Sequence, residues 1–199
     1  MGTSYDFFNR YKAVQYATKW ALSRNAAFPN YSLNHSGGGD CTNFVSQAML
    51  AGGWSISWGN HYDPRSWWSS DKDSSKGWSV AENFRWYLEK SSRARPCYEF
   101  ELFWGDIVLI LEDGRTKHAM IVTDVKESQS SDRRDTNPVK DIYVCGHSND
   151  RLNMPLKFVW KYHANRENVE FWKVSDIIPN ALEASMSAQS IPDNLHRNI

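Results

Sequence analysis

Three residues carry types and spacings that could do chemistry together. Cys41 sits in the run DCTNFVSQAMLAGG, His118 opens HAMIVTDV, and His147 closes IYVCGH. Asp40 is a favoured helix N-cap and Gly52–Gly53 a favoured helix stop, so Cys41 falls in the first turn of a short helix. A thiol there lies at the positive end of the helix dipole, which favours thiolate and lowers its pKa. A thiolate nucleophile needs a base within hydrogen-bond reach, and the base needs a third group to orient it. If the two histidine-bearing runs are neighbouring strands, both imidazoles reach the same end of a sheet and the helix points at His118. Asn149 competes with His147 as the orienting group.

Each residue also has a plain structural reading. A lone cysteine is most often a small buried hydrophobe, and a lone histidine an ordinary core or surface residue. It is the coincidence of a capped cysteine with two strand-end histidines that favours chemistry. Asp40 reads first as the helix cap and second as a polar wall of the site. Asp150 and Arg151 form a turn pair or touch substrate. Cys145 lies two residues before His147 and reads as core. The three cysteines are Cys41, Cys97 and Cys145, an odd number that argues against a disulfide framework. Cys41, Cys145, His118 and His147 are suitable zinc ligands by type. They lack CxxC or HxxxH spacing, however, so no metal and no cofactor is expected.

The elements that must position these groups are legible in outline. Tyr5 to Arg24 has helical apolar spacing. In the cysteine helix, Phe44, Val45, Ala48 and Met49 form one stripe, which predicts burial along one face. Trp54 to Trp78 is a long connection rich in Trp, Ser, Gly and Asp, and a connection of such length is usually functional or mobile. Trp67 and Trp68 are expected to wall a substrate groove, with one of the two exposed. Ser79 to Glu82 reads as a capping box opening a third helix, and Arg93 to Pro96 as a turn. Gly105-Asp106 introduces the strand-like IVLIL, and Glu112-Asp-Gly-Arg115 is a hairpin signal. Further strands are expected over His118–Val125, Ile142–His147 and Val169–Val174. The order is helices, then an antiparallel meander: an α+β fold with N-terminal helices packed on one side of a small antiparallel sheet. Residues 1–178 read as one domain and 179–199 as a loosely packed tail.

Among 199 residues, 23 Lys and Arg balance 23 Asp and Glu. That excludes nucleic-acid binding through a broad cationic surface and a polybasic membrane anchor. No apolar run approaches a membrane span, and the N-terminus lacks the pattern of a signal peptide. A cytosolic chain, another export route and a trimmed leader all fit. Aromatic residues make up 14%, enough to fill a core and to line a cleft that stacks on sugars or peptides.

Together RYKAVQYATKWA, DCTNFVSQAMLAGG, GDIVLI, HAMIVTDV and YVCGHSNDRLNMPL resemble the Putative amidase domain family, over about Arg10 to Trp172. That family is a papain-like group related to NlpC-type cell-wall peptidases and CHAP amidohydrolases. The resemblance implies a papain-like or NlpC-like fold with Cys41 as nucleophile, His118 as base and His147 as the third polar residue. The thiolate would attack an amide carbonyl, and water would hydrolyse the acyl-enzyme. The Cys41 amide would be one oxyanion donor, and the segment before the helix, with Tyr31 and His35, would supply another. Asp40, Trp67, Trp68 and Asn149 would face substrate. The expected partner is a peptide or peptidoglycan-like substrate, met by a monomer outside the cell or in the cell wall, with no nucleic acid and no membrane. Two alternatives remain. One is a deamidase or acyl-transferase toxin acting on a protein; the other is a non-catalytic aromatic-groove binding module.

Overall fold

The computed structural model describes residues 6–33, 39–128, 139–163 and 168–178. His35 and the C-terminal tail expected over 179–199 lie outside them. Helix α1 spans Arg10–Trp20, shorter at both ends than the apolar spacing suggests; at its start Asn9 caps it by accepting from the Lys12 amide. Its buried face is Ala13 and Ala17, small residues that let it pack closely on α2, Cys41–Ala51. Two further helices follow, α3 over Lys76–Ser79 and α4 over Ala81–Ser91.

Helix α2 is the centre of the molecule. Every residue from Cys41 to Met49 is buried, not only one stripe. Its polar side chains are therefore satisfied internally. Asn43 accepts from the Trp78 indole at 2.7 Å and donates to Pro29 O at 2.8 Å. Ser46 accepts from the Trp67 indole at 3.0 Å, and Gln47 accepts from the Tyr16 hydroxyl. The expected capping box at Ser79 does not form. Ser79 ends α3 and bonds Ser75 O, while Glu82 reaches across to accept the Thr116 amide at 2.7 Å.

The strands are β1 (Asp6–Phe7), β2 (Ala94–Cys97), β3 (Ile107–Glu112), β4 (Arg115–Ser128), β5 (Val139–Gly146), β6 (Arg151–Pro155), β7 (Val169–Val174) and β8 (Ile177–Ile178). Strands β1 and β8 pair with each other, and the other six form an antiparallel sheet in the order β2-β7-β3-β4-β5-β6. The α+β class and the β3-β4-β5 meander are as expected; β6, at the edge beyond β5, is an additional strand that begins at Arg151, where a turn pair or a substrate contact is expected. The residues read as a turn at Arg93–Pro96 instead supply β2 on the outer edge, where proline is tolerated. Asp113 and Gly114 have φ of 51° and 73°, the left-handed pair that a two-residue hairpin requires.

The sheet is covered on both faces, not one. Ile107, Leu109, Ala119, Ile121 and Cys145 join the core beneath α1, α2 and α4. Val108, Ile110, Met120, Val122 and Val144 form a second cluster with Leu156 and Val159 of α5, Leu156–His163. A strand buried on both sides reads as an unbroken apolar run, which is what IVLIL is.

The Gly-Asp pair before β3 is a structural lock. Asp106 is fully buried and accepts from Arg10 Nη1 at 2.7 Å and from the Phe103 and Val174 amides, with Lys173 Nζ at 3.1 Å. Arg10 also donates to Val174 O at 2.6 Å and Asp176 Oδ1 at 2.7 Å, joining α1 to β7. Removing one partner strands the other charge without water. Asp106→Ala is expected to lower stability by about 3–5 kcal/mol in urea unfolding, and a loss below about 1 kcal/mol would contradict this role.

Candidate active site

Strand β4 extends past its neighbour. The last β4–β5 pair is Ile121↔Cys145, so among the described residues the edge of β4 from Lys117 to Met120 has no strand beside it on that side. The first turn of α2 fills the gap. Cys41 Sγ lies 3.8 Å from the Lys117 carbonyl and accepts the Ala119 amide. These two backbone groups flank His118, which is half-buried with its Nδ1 in the interior. The structure thus brings Cys41 to the strand segment that carries His118, and β4 and β5 are neighbours as expected.

The thiol's electrostatics differ from the expectation. Cys41 is buried, and desolvation pushes its pKa up, because a thiolate there would lose its water. Hydrogen bonds from the Ala119 amide and from the Thr42 hydroxyl and amide oppose that rise, and the Asp40 charge adds to it. The helix dipole is legible from local sequence, whereas burial by β4 is not. In the resting fold the net shift favours the neutral thiol. Arg151 at the start of β6 pulls the other way: burial lowers its pKa, and the Cys41 thiolate raises it, which places its cation within electrostatic reach of the sulfur.

Asp40 does more than cap. Its side chain makes no capping hydrogen bond to the α2 backbone. Instead its Oδ2 meets His147 Nδ1 at 2.6 Å and Arg24 Nε at 3.3 Å. Its Oδ1 accepts from the Tyr31 amide at 3.1 Å and Asn43 Nδ2 at 2.8 Å. His147 Nε2 faces the Trp20 carbonyl at 2.9 Å. A carbonyl only accepts, so the ring donates to it from Nε2, and Nδ1 faces the Asp40 carboxylate. The imidazole also lies against the Phe44 ring at 4.1 Å between centroids. With both ring nitrogens so used, His147 offers no free nitrogen to orient a second imidazole. It ties the end of β5 and the end of α1 to the residue before Cys41. Gly39 makes this approach possible, since a Cβ there would run into the Ser148 side chain that accepts the Asp40 amide.

The remaining candidates fall in different places. Tyr31 is half-buried, its hydroxyl 2.7 Å from Ser74 Oγ. Asn149 is exposed in the β5–β6 turn at φ 92°, a conformation asparagine tolerates. Trp68 is half-buried at the surface. Trp67 is wholly buried among Trp54, Trp78 and Tyr87, so the expectation that it walls a groove is corrected: its indole is core. Sequence reasoning missed Arg24, which bonds Asp150 through both terminal nitrogens at 3.1 and 2.8 Å as well as reaching Asp40. Nothing local marks it, because its partners lie far along the chain.

The Putative amidase domain family matches residues 7–171, and the chain belongs to it. Two Bacillus subtilis (strain 168) proteins are similar. Uncharacterized protein YhbB is 35% identical over 121 residues, 58% of this chain and 37% of its own length. Uncharacterized protein YjcM is 28% identical over 171 residues, 79% of this chain and 35% of its own length. The chain therefore spans little more than a third of each of these curated relatives. No solved structure matches it.

The raised thiol has a defined pH signature. Its contribution to stability is full below the unfolded thiol value near 8.5 and is lost as pH rises through the folded value. Iodoacetamide labelling of Cys41 is expected to have its midpoint above about 8.5, and Arg151→Gln to move it higher still. A midpoint below about 8.5 would contradict the burial argument.

Proposed function

We propose that the chain is a cysteine-dependent amide hydrolase with a papain-like arrangement, Cys41 acting as nucleophile and His118 as general base. The observation that carries this reading is the sulfur held at the open edge of β4, between the backbone groups that flank His118, at the first turn of a buried helix. Family membership supports amide hydrolysis as the reaction class.

Because the thiol rests neutral, its proton passes to a His118 ring nitrogen as the sulfur attacks the amide carbon. The carbonyl oxygen becomes an oxyanion next to the first turn of α2, where the Cys41 amide points away from the helix body. The C–N bond breaks, the imidazolium protonates the departing amine, and a thioester remains. His118 then takes a proton from water, whose oxygen attacks the thioester. Collapse releases the carboxylic acid and restores the thiol. The balance is one amide and one water to one acid and one amine.

Asp40 and His147 act as positioning residues, holding the turn that presents Cys41. Arg151 supplies a cation that offsets charge developing on sulfur. Peptide amides of peptidoglycan are the substrate class we favour, and an extracellular or cell-wall setting follows from that choice.

Purified peptidoglycan incubated with the chain should release new amine or carboxyl termini, read by mass. Cys41→Ala should abolish release, and His118→Ala should lower it by at least about 10²-fold. Release at the wild-type rate by Cys41→Ala, with the variant folded, would overturn the proposal.

A further inference from the structure

The segment between α2 and α4 treats its tryptophans in two ways. Trp54, Trp67 and Trp78 enter the core, whereas Trp58 is 73% exposed and Trp68 half-buried. These two are not loose. Ser57 and Trp67 exchange backbone hydrogen bonds at 2.9 and 2.8 Å. The Trp68 indole donates to Gly59 O at 3.0 Å, and its amide donates to Ser75 Oγ at 3.0 Å. The Trp58 ring rests against that fixed indole, with centroids 5.5 Å apart and planes 30° apart. On the rim, His61 meets the Trp68 ring edge-on at 4.9 Å and pairs with Asp73 at 3.1 Å. Tyr62 stands 72% exposed beside them in sequence.

A single exposed aromatic needs no explanation, but a contacting group of them marks a recognition surface. This one is ordered in advance, so a ligand need not spend free energy on arranging it. Its chemistry selects the occupant. An indole face attracts polarised C–H groups, and the rim offers the exposed Asp73 carboxylate, held by His61, whose ring nitrogens face the Ser74 carbonyl at 3.2 Å and Asp73 at 3.1 Å. A ligand matching both has a flat C–H face and an edge of hydroxyls that donate to a carboxylate, which describes a pyranose ring. A cationic ligand would need rings closing around it, and a plain apolar one would leave the rim unmatched.

The position is as informative as the chemistry. Asp73 precedes Ser74, whose Oγ is 2.7 Å from the Tyr31 hydroxyl, and the Tyr31 amide donates to Asp40 beside Cys41. A relay of hydrogen bonds thus ties the rim of the platform to the segment that holds Asp40.

We propose that Trp58 and Trp68, rimmed by His61 and Asp73, form a glycan-stacking subsite that holds the sugar chain of a glycopeptide while its peptide amide reaches Cys41. The second half of this statement rests on the hydrolase reading; the sugar binding does not.

The test uses the full chain and its Cys41→Ala variant, titrated with soluble N-acetylglucosamine oligomers and, separately, with a sugar-free stem peptide, with tryptophan fluorescence as readout. Both proteins should bind the oligomer equally. Trp58→Ala, at an exposed position, should weaken binding by roughly tenfold, whereas Trp86→Ala on α4 should leave it unchanged. Circular dichroism checks the folding of each variant. Absence of oligomer binding, binding indifferent to Trp58→Ala, or Trp58-dependent binding of the sugar-free peptide instead would each overturn the subsite. Cleavage of the sugar-free peptide by wild type but not by Cys41→Ala separates the two ideas. If cleavage persists without glycan binding, only the subsite falls; if glycan binds without any cleavage, only the hydrolase reading falls.

Discussion

The buried contact between Asp40 and His147 is the constraint on which the site depends. Both side chains are almost without solvent, 1% and 2% exposed, and they meet at 2.6 Å. A carboxylate in such a place is costly unless fully matched, and Asp40 is matched by an imidazole, a guanidinium, a backbone amide and a side-chain amide. These partners come from the end of β5, the stretch following α1, the segment before α2 and α2 itself. Four separate parts of the chain therefore converge on the residue preceding Cys41, and the start of α2 has little freedom to move.

A second consequence concerns where the sulfur ends up. With the start of α2 pinned, Cys41 sits where β5 would have continued had it not turned away after Gly146. The unused backbone groups of β4 then bond to the sulfur, not to another strand. Burial keeps the proton on the sulfur at rest. A neutral thiol is less exposed to oxidation than a thiolate, and it becomes nucleophilic only when an acceptor for its proton is at hand. The same geometry thus protects the thiol and fixes the direction from which it can be activated.

Local chemistry made much of this visible from the residues alone. The bounds of α2 follow from Asp40 and Gly52, the β3–β4 hairpin from Asp113-Gly114, and β7 from its β-branched and aromatic residues, all marks a few residues long. What escaped depends on distant partners. Strand β2 contains Arg95 and Pro96, and its pairing with β7 exists only once the chain returns 74 to 80 residues later. Asp40 satisfies every local rule for a cap, so only the arrival of His147 and Arg24 shows that its carboxylate is used elsewhere. Trp67 and Trp68 are identical by type, and the alternation of a bridge-paired segment sends one inward and one outward. The acidity of Cys41 escaped for a like reason: the helix dipole is written in adjacent residues, whereas desolvation comes from β4.

The most direct measurement is intact-protein mass spectrometry after acid quench during turnover of a peptide amide. The account predicts a transient adduct of the acyl portion, mapped by digestion to the fragment bearing Cys41. Turnover with no adduct at that sulfur, or with the acyl group on a different residue, would contradict it.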